Sequence, residues 1–171
     1  YYYTGIFLDI GLCLLLFFVG IDIGNNTKAF ENLRKLGFKI LLVPVSAAVG
    51  SIIGGIIAGL FFGIRVTQGA AIGAGFGWYS LSAILIAPYS AELSAISFLT
   101  NVFREVLAII SIPFIAKHIG FLETIAASGA TAMDTTLPIV TRNTSEEVAV
   151  VSFVSGLTMS LLVPVLVPIF I

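Results

Sequence analysis

Residues 91–116 read AELSAISFLTNVFREVLAIISIPFIA, an apolar run that polar side chains interrupt at regular intervals. The run exceeds the roughly 20 apolar residues that a helix needs to cross a bilayer. Its polar side chains recur three or four positions apart, which places them on one helix face: Ser94, Ser97, Asn101, Arg104 and Glu105. A charge at the bilayer centre costs about 2.5–3.5 kcal/mol on insertion scales. This face therefore points into the protein interior or towards a water-filled cavity.

The composition is that of a chain dissolved in lipid. Of 171 residues, 58% are hydrophobic and 10% are charged, and the mean hydropathy is +1.13. Soluble domains carry roughly 25% charged residues. The net charge of -1 provides no basic patch and argues against nucleic acid as a partner. One histidine and one cysteine are too few for a zinc site, so we expect no metal, no cofactor and no enzymatic activity.

Long apolar runs predict an all-α integral membrane protein with about six transmembrane segments, forming a single transmembrane domain over residues 1–171. The six runs are residues 5–24, 37–63, 69–87, 91–116, 121–140 and 147–171. Whether the run 121–140 spans the membrane or re-enters from one side stays open. The chain opens YYYTG without a methionine, so we expect a piece of a longer protein or one subunit of a two-chain assembly.

The third run contains three glycines, Gly73, Gly75 and Gly77, directly before the sequence WYSLS. Each glycine costs about 1 kcal/mol relative to alanine inside a helix. The sequence therefore predicts a discontinuous helix near residues 75–82. Tight packing of small residues against a neighbouring helix is the alternative interpretation.

A second discontinuity is predicted near residues 128–138. Pro138 has no backbone N–H, and in a continuous helix its ring opposes the carbonyl group of Asp134. The alternative is that Asp134 caps the start of a helix at the membrane interface. Two interrupted segments with a polar helix between them are typical of a transporter binding site.

Three of these stretches together resemble the bacterial and archaeal lysine exporter family, LysO or YbjE. They are GFGWYSLS at 75–82, Arg104-Glu105 followed by IISIP at 109–113, and GATAMDTTLP at 129–138. They occur in the family's order, and the resemblance covers nearly the whole chain. The departures are modest: Ala83 stands where family members often have glycine, and Ala132 where serine is common.

The resemblance implies export of L-lysine, and of its toxic analogue thialysine, across the inner or plasma membrane of a prokaryote. It also implies an acidic intramembrane residue matching Glu105. Family members usually carry further membrane segments before this region, including a second acidic residue. The chain therefore resembles the carboxyl-terminal half, and we expect an amino-terminal half subunit, a homo-oligomer, or both as partners.

The expected activity is secondary transport of lysine coupled to a proton or a cation such as sodium. Carboxylates at Glu105 and Asp134 can accept hydrogen bonds from the two ammonium groups of lysine. A helix amino terminus near Tyr79 or Gly129 can face its carboxylate. The predicted substrate and proton site comprises Glu105, Asp134, Asn101, Arg104, Tyr79, Ser80 and Thr135.

Two other functions use the same residues differently. A cation/proton antiporter would use the same acids without an amino acid. A non-catalytic membrane assembly subunit would use its glycine faces for helix contacts and need Arg104 and Glu105 only as internal polar contacts. Such contacts would be dry and paired, whereas a transport site borders a cavity.

Overall fold

The computed structural model describes Ile21 and residues 37–171, and the predicted segment 5–24 otherwise lies outside the described residues. In the described range a short 3₁₀ helix, Gly37–Leu41, leads into seven α-helices, and a second 3₁₀ helix, Gly129–Met133, follows the fifth. No strand occurs in this range. The α-helices are α1 Leu42–Phe61, α2 Val66–Gly73, α3 Tyr79–Ile86, α4 Ala91–His118, α5 Phe121–Ser128, α6 Leu137–Asn143 and α7 Glu146–Phe170.

Three of these helices, α1, α4 and α7, are long and apolar enough to cross a membrane. Their outward faces carry large apolar side chains, such as Ile53 on α1, Ile110 on α4 and Leu161 on α7, which are at least half exposed. Lipid is the natural solvent for such faces. The described part of the chain is therefore an all-helical membrane protein.

The two longest helices begin at side-chain caps. The Ser90 hydroxyl accepts a hydrogen bond from the Leu93 N–H at 3.2 Å where α4 begins, and Ser145 does the same for Val148 at 3.4 Å where α7 begins. Each cap satisfies a backbone donor that the helix itself leaves unpaired. Glu92 in the first turn of α4 complements the positive end of the helix dipole.

Helices α2 and α3 are separated by residues 74–78. Phe76 and Gly77 in this connection have positive φ angles, +49° and +98°. An ordinary side chain disfavours this left-handed conformation, whereas glycine adopts it readily. The Phe76 side chain is fully buried, so its burial holds the unusual backbone in place.

Helices α5 and α6 are separated by the second 3₁₀ helix and a turn. Gly129, with φ +68°, ends α5, and Pro138 lies in the first turn of α6. Proline is well tolerated there because its missing N–H would have no partner inside the helix. The backbone N–H of Ala130 donates to the Phe76 carbonyl oxygen at 2.8 Å, so the two connections between short helices touch each other.

Glycine contacts bring the backbones of α1 and α2 together. A Cβ atom on Gly55 would lie 2.5 Å from the Gly69 carbonyl oxygen, and one on Gly73 would lie 2.6 Å from the Ser51 carbonyl oxygen. Small residues permit such close approach between membrane helices. These four residues fix α2, and with it the connection that follows α2.

Helix α7 supports the second connection with three small residues spaced four apart. The Ser152 hydroxyl donates to the Ala132 carbonyl oxygen at 2.8 Å, and a Cβ atom on Gly156 would collide with the Met133 backbone. Ser160, one turn further, contacts the Met133 sulfur at 3.8 Å. The small face of α7 thereby seats residues 129–133 in the interior of the protein.

Candidate functional site

A cavity of about 390 Å³ lies where the two connections meet. Its walls come from the end of the first connection and the start of α3, the middle of α4, the second connection and α7; the described lining residues are Gly77, Trp78, Tyr79, Ser80, Glu105, Ala130, Thr131, Met133, Asp134, Thr135 and Ser160. This volume falls at the lower end of the range of small-molecule sites, roughly 300–1,000 Å³. The cavity is therefore large enough for a small polar solute.

Two carboxylate groups border this cavity, those of Glu105 and Asp134. The Thr135 hydroxyl donates a 2.5 Å hydrogen bond to Oε1 of Glu105, and the Thr135 N–H donates to Oδ1 of Asp134 at 2.6 Å. None of the described lining residues is basic. Among the described residues, the cavity therefore presents two half-buried acids and no cation, which is an arrangement suited to a cationic ligand.

The amino terminus of α3 provides a positive partial charge at the cavity, opposite in sign to the two carboxylates. Tyr79 and Ser80, in its first turn, line the cavity, and Trp78 precedes the helix without a side-chain cap. The N–H groups of a first turn have no partner within the helix and form the positive end of its dipole. The site thus combines carboxylates for cations with a helix terminus for an anion.

Asn101 lies behind the cavity wall and is not one of the residues that line it. Its Oδ1 atom accepts the Gly77 N–H at 2.8 Å, and its Nδ2 group donates to the Ser97 carbonyl oxygen at 2.9 Å. The side chain is almost fully buried, and Ser82 lies 3.4 Å from its Nδ2 atom. Asn101 therefore holds the connection between α2 and α3 in position.

Arg104 also lies away from the acidic cavity, although it adjoins Glu105 in sequence. Its Nη1 atom donates to the Ser51 hydroxyl at 2.5 Å, and Ser51 donates to the Gly73 carbonyl oxygen at 2.6 Å. Neighbouring residues on a helix point about 100° apart, so the two charged groups face different surroundings. Of the seven predicted site residues, the structure brings together Glu105, Asp134, Thr135, Tyr79 and Ser80.

The cavity also contains residues that were absent from the predicted site, among them Trp78, Thr131, Met133 and Ser160. Trp78 and Thr131 lie inside the two stretches in which helix breaks were predicted, so the predicted breaks already indicated that both residues lie near the site. For Ser160 the sequence contains a weaker indication, the four-residue spacing of the small residues Ser152, Gly156 and Ser160. In the described ranges no group of three or more His, Cys, Asp or Glu side chains can hold a metal ion.

The described helices thus define an all-helical membrane protein with an acidic cavity between short helices, a setting typical of solute binding in membrane transport proteins. The family model described as lysine exporter LysO matches residues 2–171, and the chain belongs to this family.

Two curated relatives have similar sequences. A Haemophilus influenzae protein named "Putative lysine exporter" is 35% identical over 162 residues, which cover 93% of this chain and 81% of the relative. Lysine exporter LysO of Escherichia coli is 34% identical over 160 residues, which cover 93% of this chain and 53% of the relative. The chain therefore spans about half the length of the E. coli protein. No solved structure gives a significant match.

Proposed function

We propose that the protein exports L-lysine, and analogues such as thialysine, as part of a secondary transporter in the inner or plasma membrane of a prokaryote. Family membership and the names of the relatives support this function. The structural observation that carries it is the cavity bordered by Glu105, Asp134 and the amino terminus of α3. Because the chain spans 53% of the E. coli relative, the activity belongs to a complete assembly, with an amino-terminal half, further copies, or both.

The three charged groups of lysine match the three polar features of the cavity. Glu105 and Asp134 accept charge-assisted hydrogen bonds from the two ammonium groups. The lysine carboxylate lies at the amino terminus of α3, where backbone donors and the helix dipole favour an anion. The aromatic rings of Trp78 and Tyr79 add faces that attract an ammonium group.

Coupling to a proton or another cation uses the same acids. A carboxylate that receives an ammonium group in one conformation receives a proton or a sodium ion in the other. Glu105 and Asp134 stand on different elements, α4 and the turn before α6, and Thr135 bonds to both. A shift of that turn relative to α4 therefore changes the surroundings of both carboxylate groups at the same time.

The proposed transmembrane topology has about six segments in one domain, and residues 69–87 and 121–140 are the two discontinuous ones. Helices α2 and α3 have eight residues each, about 12 Å, and neither alone spans a hydrocarbon core of about 30 Å. Joined through residues 74–78, the two helices cover most of the thickness of the hydrocarbon core. Helices α5 and α6 are likewise too short to span the hydrocarbon core individually, and with the second 3₁₀ helix between them they cover most of it.

The test is the variant Glu105→Gln in the complete assembly, which keeps the shape of the side chain and removes its charge and exchangeable proton. We expect normal membrane abundance and thermal stability with loss of lysine efflux. The matched control is Glu92→Gln, at an exposed position in the first turn of the same helix. Normal efflux from Glu105→Gln would contradict the proposal, and collapsed abundance would favour an assembly subunit.

A cation/proton antiporter is the competing function because it needs only the two acids. The amino terminus of α3 and the aromatic rings at the cavity favour an amino acid, since an inorganic cation uses neither. Reconstituted vesicles distinguish the two functions. Lysine exchange without sodium or lithium exchange supports lysine export, and the reverse supports the antiporter.

A further inference from the structure

Two cavities adjoin different ends of the short helices. The acidic cavity lies where α3 begins and where the turn before α6 runs. A second cavity, of about 620 Å³, lies between α1 and α4 and shares no described lining residue with the acidic cavity. Helix α2 contributes its last two residues to this lining, Ile72 and Gly73, and α5 contributes Ala127 from its last turn. The carboxyl ends of two short helices therefore meet at the second cavity.

Arg104, in the middle of α4, is the charged residue among the described residues that line the second cavity. Its Nη1 atom donates to the Ser51 hydroxyl at 2.5 Å, and that hydroxyl donates to the carbonyl oxygen of Gly73, the last residue of α2, at 2.6 Å. Its guanidinium group also packs against Gly129, which ends α5. The Nη2 atom lies 3.0 Å from the point where a Cβ atom of Gly129 would be. The guanidinium group therefore lies between the carboxyl ends of α2 and α5.

The carboxyl end of a helix is a suitable counterpart for this cation. The last four carbonyl groups of a helix lack partners within the helix, and together they carry about half a negative elementary charge. In a bilayer neither these carbonyl groups nor a guanidinium group can rely on water. The described lining of the second cavity includes no carboxylate. The two helix ends are thus the negative groups that the described structure provides for Arg104.

We propose that Arg104 is a positioning residue whose charge holds the carboxyl ends of α2 and α5 together and thereby fixes the shape of the acidic cavity. The two connections start at these helix ends, and the Ala130 N–H joins them by donating to the Phe76 carbonyl oxygen at 2.8 Å. Ala130 lines the acidic cavity, as does Gly77, the residue after Phe76. A displacement of either helix end therefore moves the walls of that cavity, although Arg104 does not line it.

Thermal unfolding of the complete assembly in detergent tests the role of the charge. A buried cation without a function is a liability, and a hydrophobic replacement of similar size is then often neutral or stabilising. We expect the opposite: Arg104→Met and Arg104→Gln should lower the unfolding temperature by about 4 °C or more, whereas Arg104→Lys should retain most of the stability. A stability of Arg104→Met equal to or above that of the wild type would overturn the proposal. So would an Arg104→Gln variant as stable as Arg104→Lys, since glutamine keeps a hydrogen-bond donor without the charge.

A double-mutant cycle tests the connection to α2 through Ser51. Ser51→Ala should lower the unfolding temperature of the wild type and should have little further effect in the Arg104→Met variant, because the two residues act through one chain of hydrogen bonds. Ser46→Ala is the control, on the same helix, since the exposed Ser46 hydroxyl donates to the nearby Val43 carbonyl oxygen. Its effect should be the same in both backgrounds. Additive effects of Ser51→Ala and Arg104→Met would overturn the connection.

The KM for lysine efflux separates positioning from stability alone, and this measurement rests on the proposed function. In Ser51→Ala and Arg104→Lys we expect the KM to rise about tenfold at an unchanged maximal rate per folded protein, because a displaced helix end misplaces the groups that bind the ligand. A residue that only stabilises the fold would alter the amount of folded protein and leave the KM unchanged, and that result would overturn the positioning role. If the wild-type assembly transports no lysine, the proposed function fails, whereas the two unfolding experiments still decide whether Arg104 holds the helix ends.

Discussion

The hydroxyl of Thr135 donates a 2.5 Å hydrogen bond to Oε1 of Glu105 and thereby joins the middle of α4 to the turn that carries Asp134. Thirty residues separate the two partners in sequence. This contact orients one acid of the cavity while the Thr135 N–H orients the other. Thr135 therefore fixes the relative position of the two acids at the cavity.

Removal of the Thr135 hydroxyl should impair transport more than folding. Thr135→Val keeps the shape of the side chain and removes its hydrogen bond to Glu105. A hydrogen bond to a charged group contributes about 1.5–3 kcal/mol, so we expect lysine efflux to fall about tenfold or more. Thr135→Ser, which retains the hydroxyl, should keep most of the activity. Equal activity of the two variants in an efflux assay would contradict this role.

Asp134→Asn should abolish most lysine efflux and leave the protein folded. Asp134 is half-buried, and within the described part of the chain its carboxylate accepts hydrogen bonds only from the neighbouring Thr135, so no distant described element depends on it. The asparagine side chain accepts the same backbone hydrogen bond but provides no charge for an ammonium group. Efflux and thermal stability should be compared with those of Glu123→Gln, an exposed acid in the first turn of α5. If both variants transport normally, Asp134 has no part in the site.

Asn101→Leu should destabilise the protein because the buried Gly77 N–H would lose its acceptor. A buried backbone donor without a partner costs about 1–3 kcal/mol, which a thermal unfolding measurement in detergent detects. Ser111→Ala on the same helix is the control, since the Ser111 hydroxyl donates to the Ala108 carbonyl oxygen one turn away and makes no other hydrogen bond among the described residues. A stability of Asn101→Leu similar to that of the control would show that the connection does not depend on this amide.

Gly129→Ala should be strongly destabilising. The residue has φ +68°, and an added Cβ atom would collide with the Phe76 carbonyl oxygen and approach the Arg104 guanidinium at 3.0 Å. The left-handed conformation alone costs a non-glycine residue about 1–2 kcal/mol. Gly50→Ala, on the open face of α1, should be neutral or stabilising by up to about 1 kcal/mol. Comparable unfolding temperatures for the two variants would contradict the close crossing of the two connections.

The predictions from sequence were most reliable for features that depend on the residues of a single segment. The apolar runs predicted at 37–63, 91–116 and 147–171 correspond to α1, α4 and α7, the described helices that are long enough to cross a membrane, since length and hydropathy are local properties. The predicted segment at 5–24 lies outside the described residues. The six-segment topology and the roles of the seven predicted site residues stay predictions.

The placement of the polar side chains of α4 shows the limit of such reasoning. Helical spacing puts Asn101, Arg104 and Glu105 on one broad face, and the sequence alone assigned all three to one site. In the structure they reach three different partners: the Gly77 backbone, the Ser51 hydroxyl and Thr135. These partners are 24, 53 and 30 residues away in sequence, so the arrangement depends on how distant helices pack.

Composition alone predicts that lipid is the solvent of this chain and that its polar residues turn inward, because so few charged residues could not cover a surface in water. Which of the inward-facing residues contact one another depends on how distant helices pack. Glycine contacts between α1 and α2, together with the small face of α7, bring the two connections into contact. That contact places Glu105 and Asp134 at one cavity and leaves Arg104 in another, because a helix fixes the direction of a side chain but not what lies opposite.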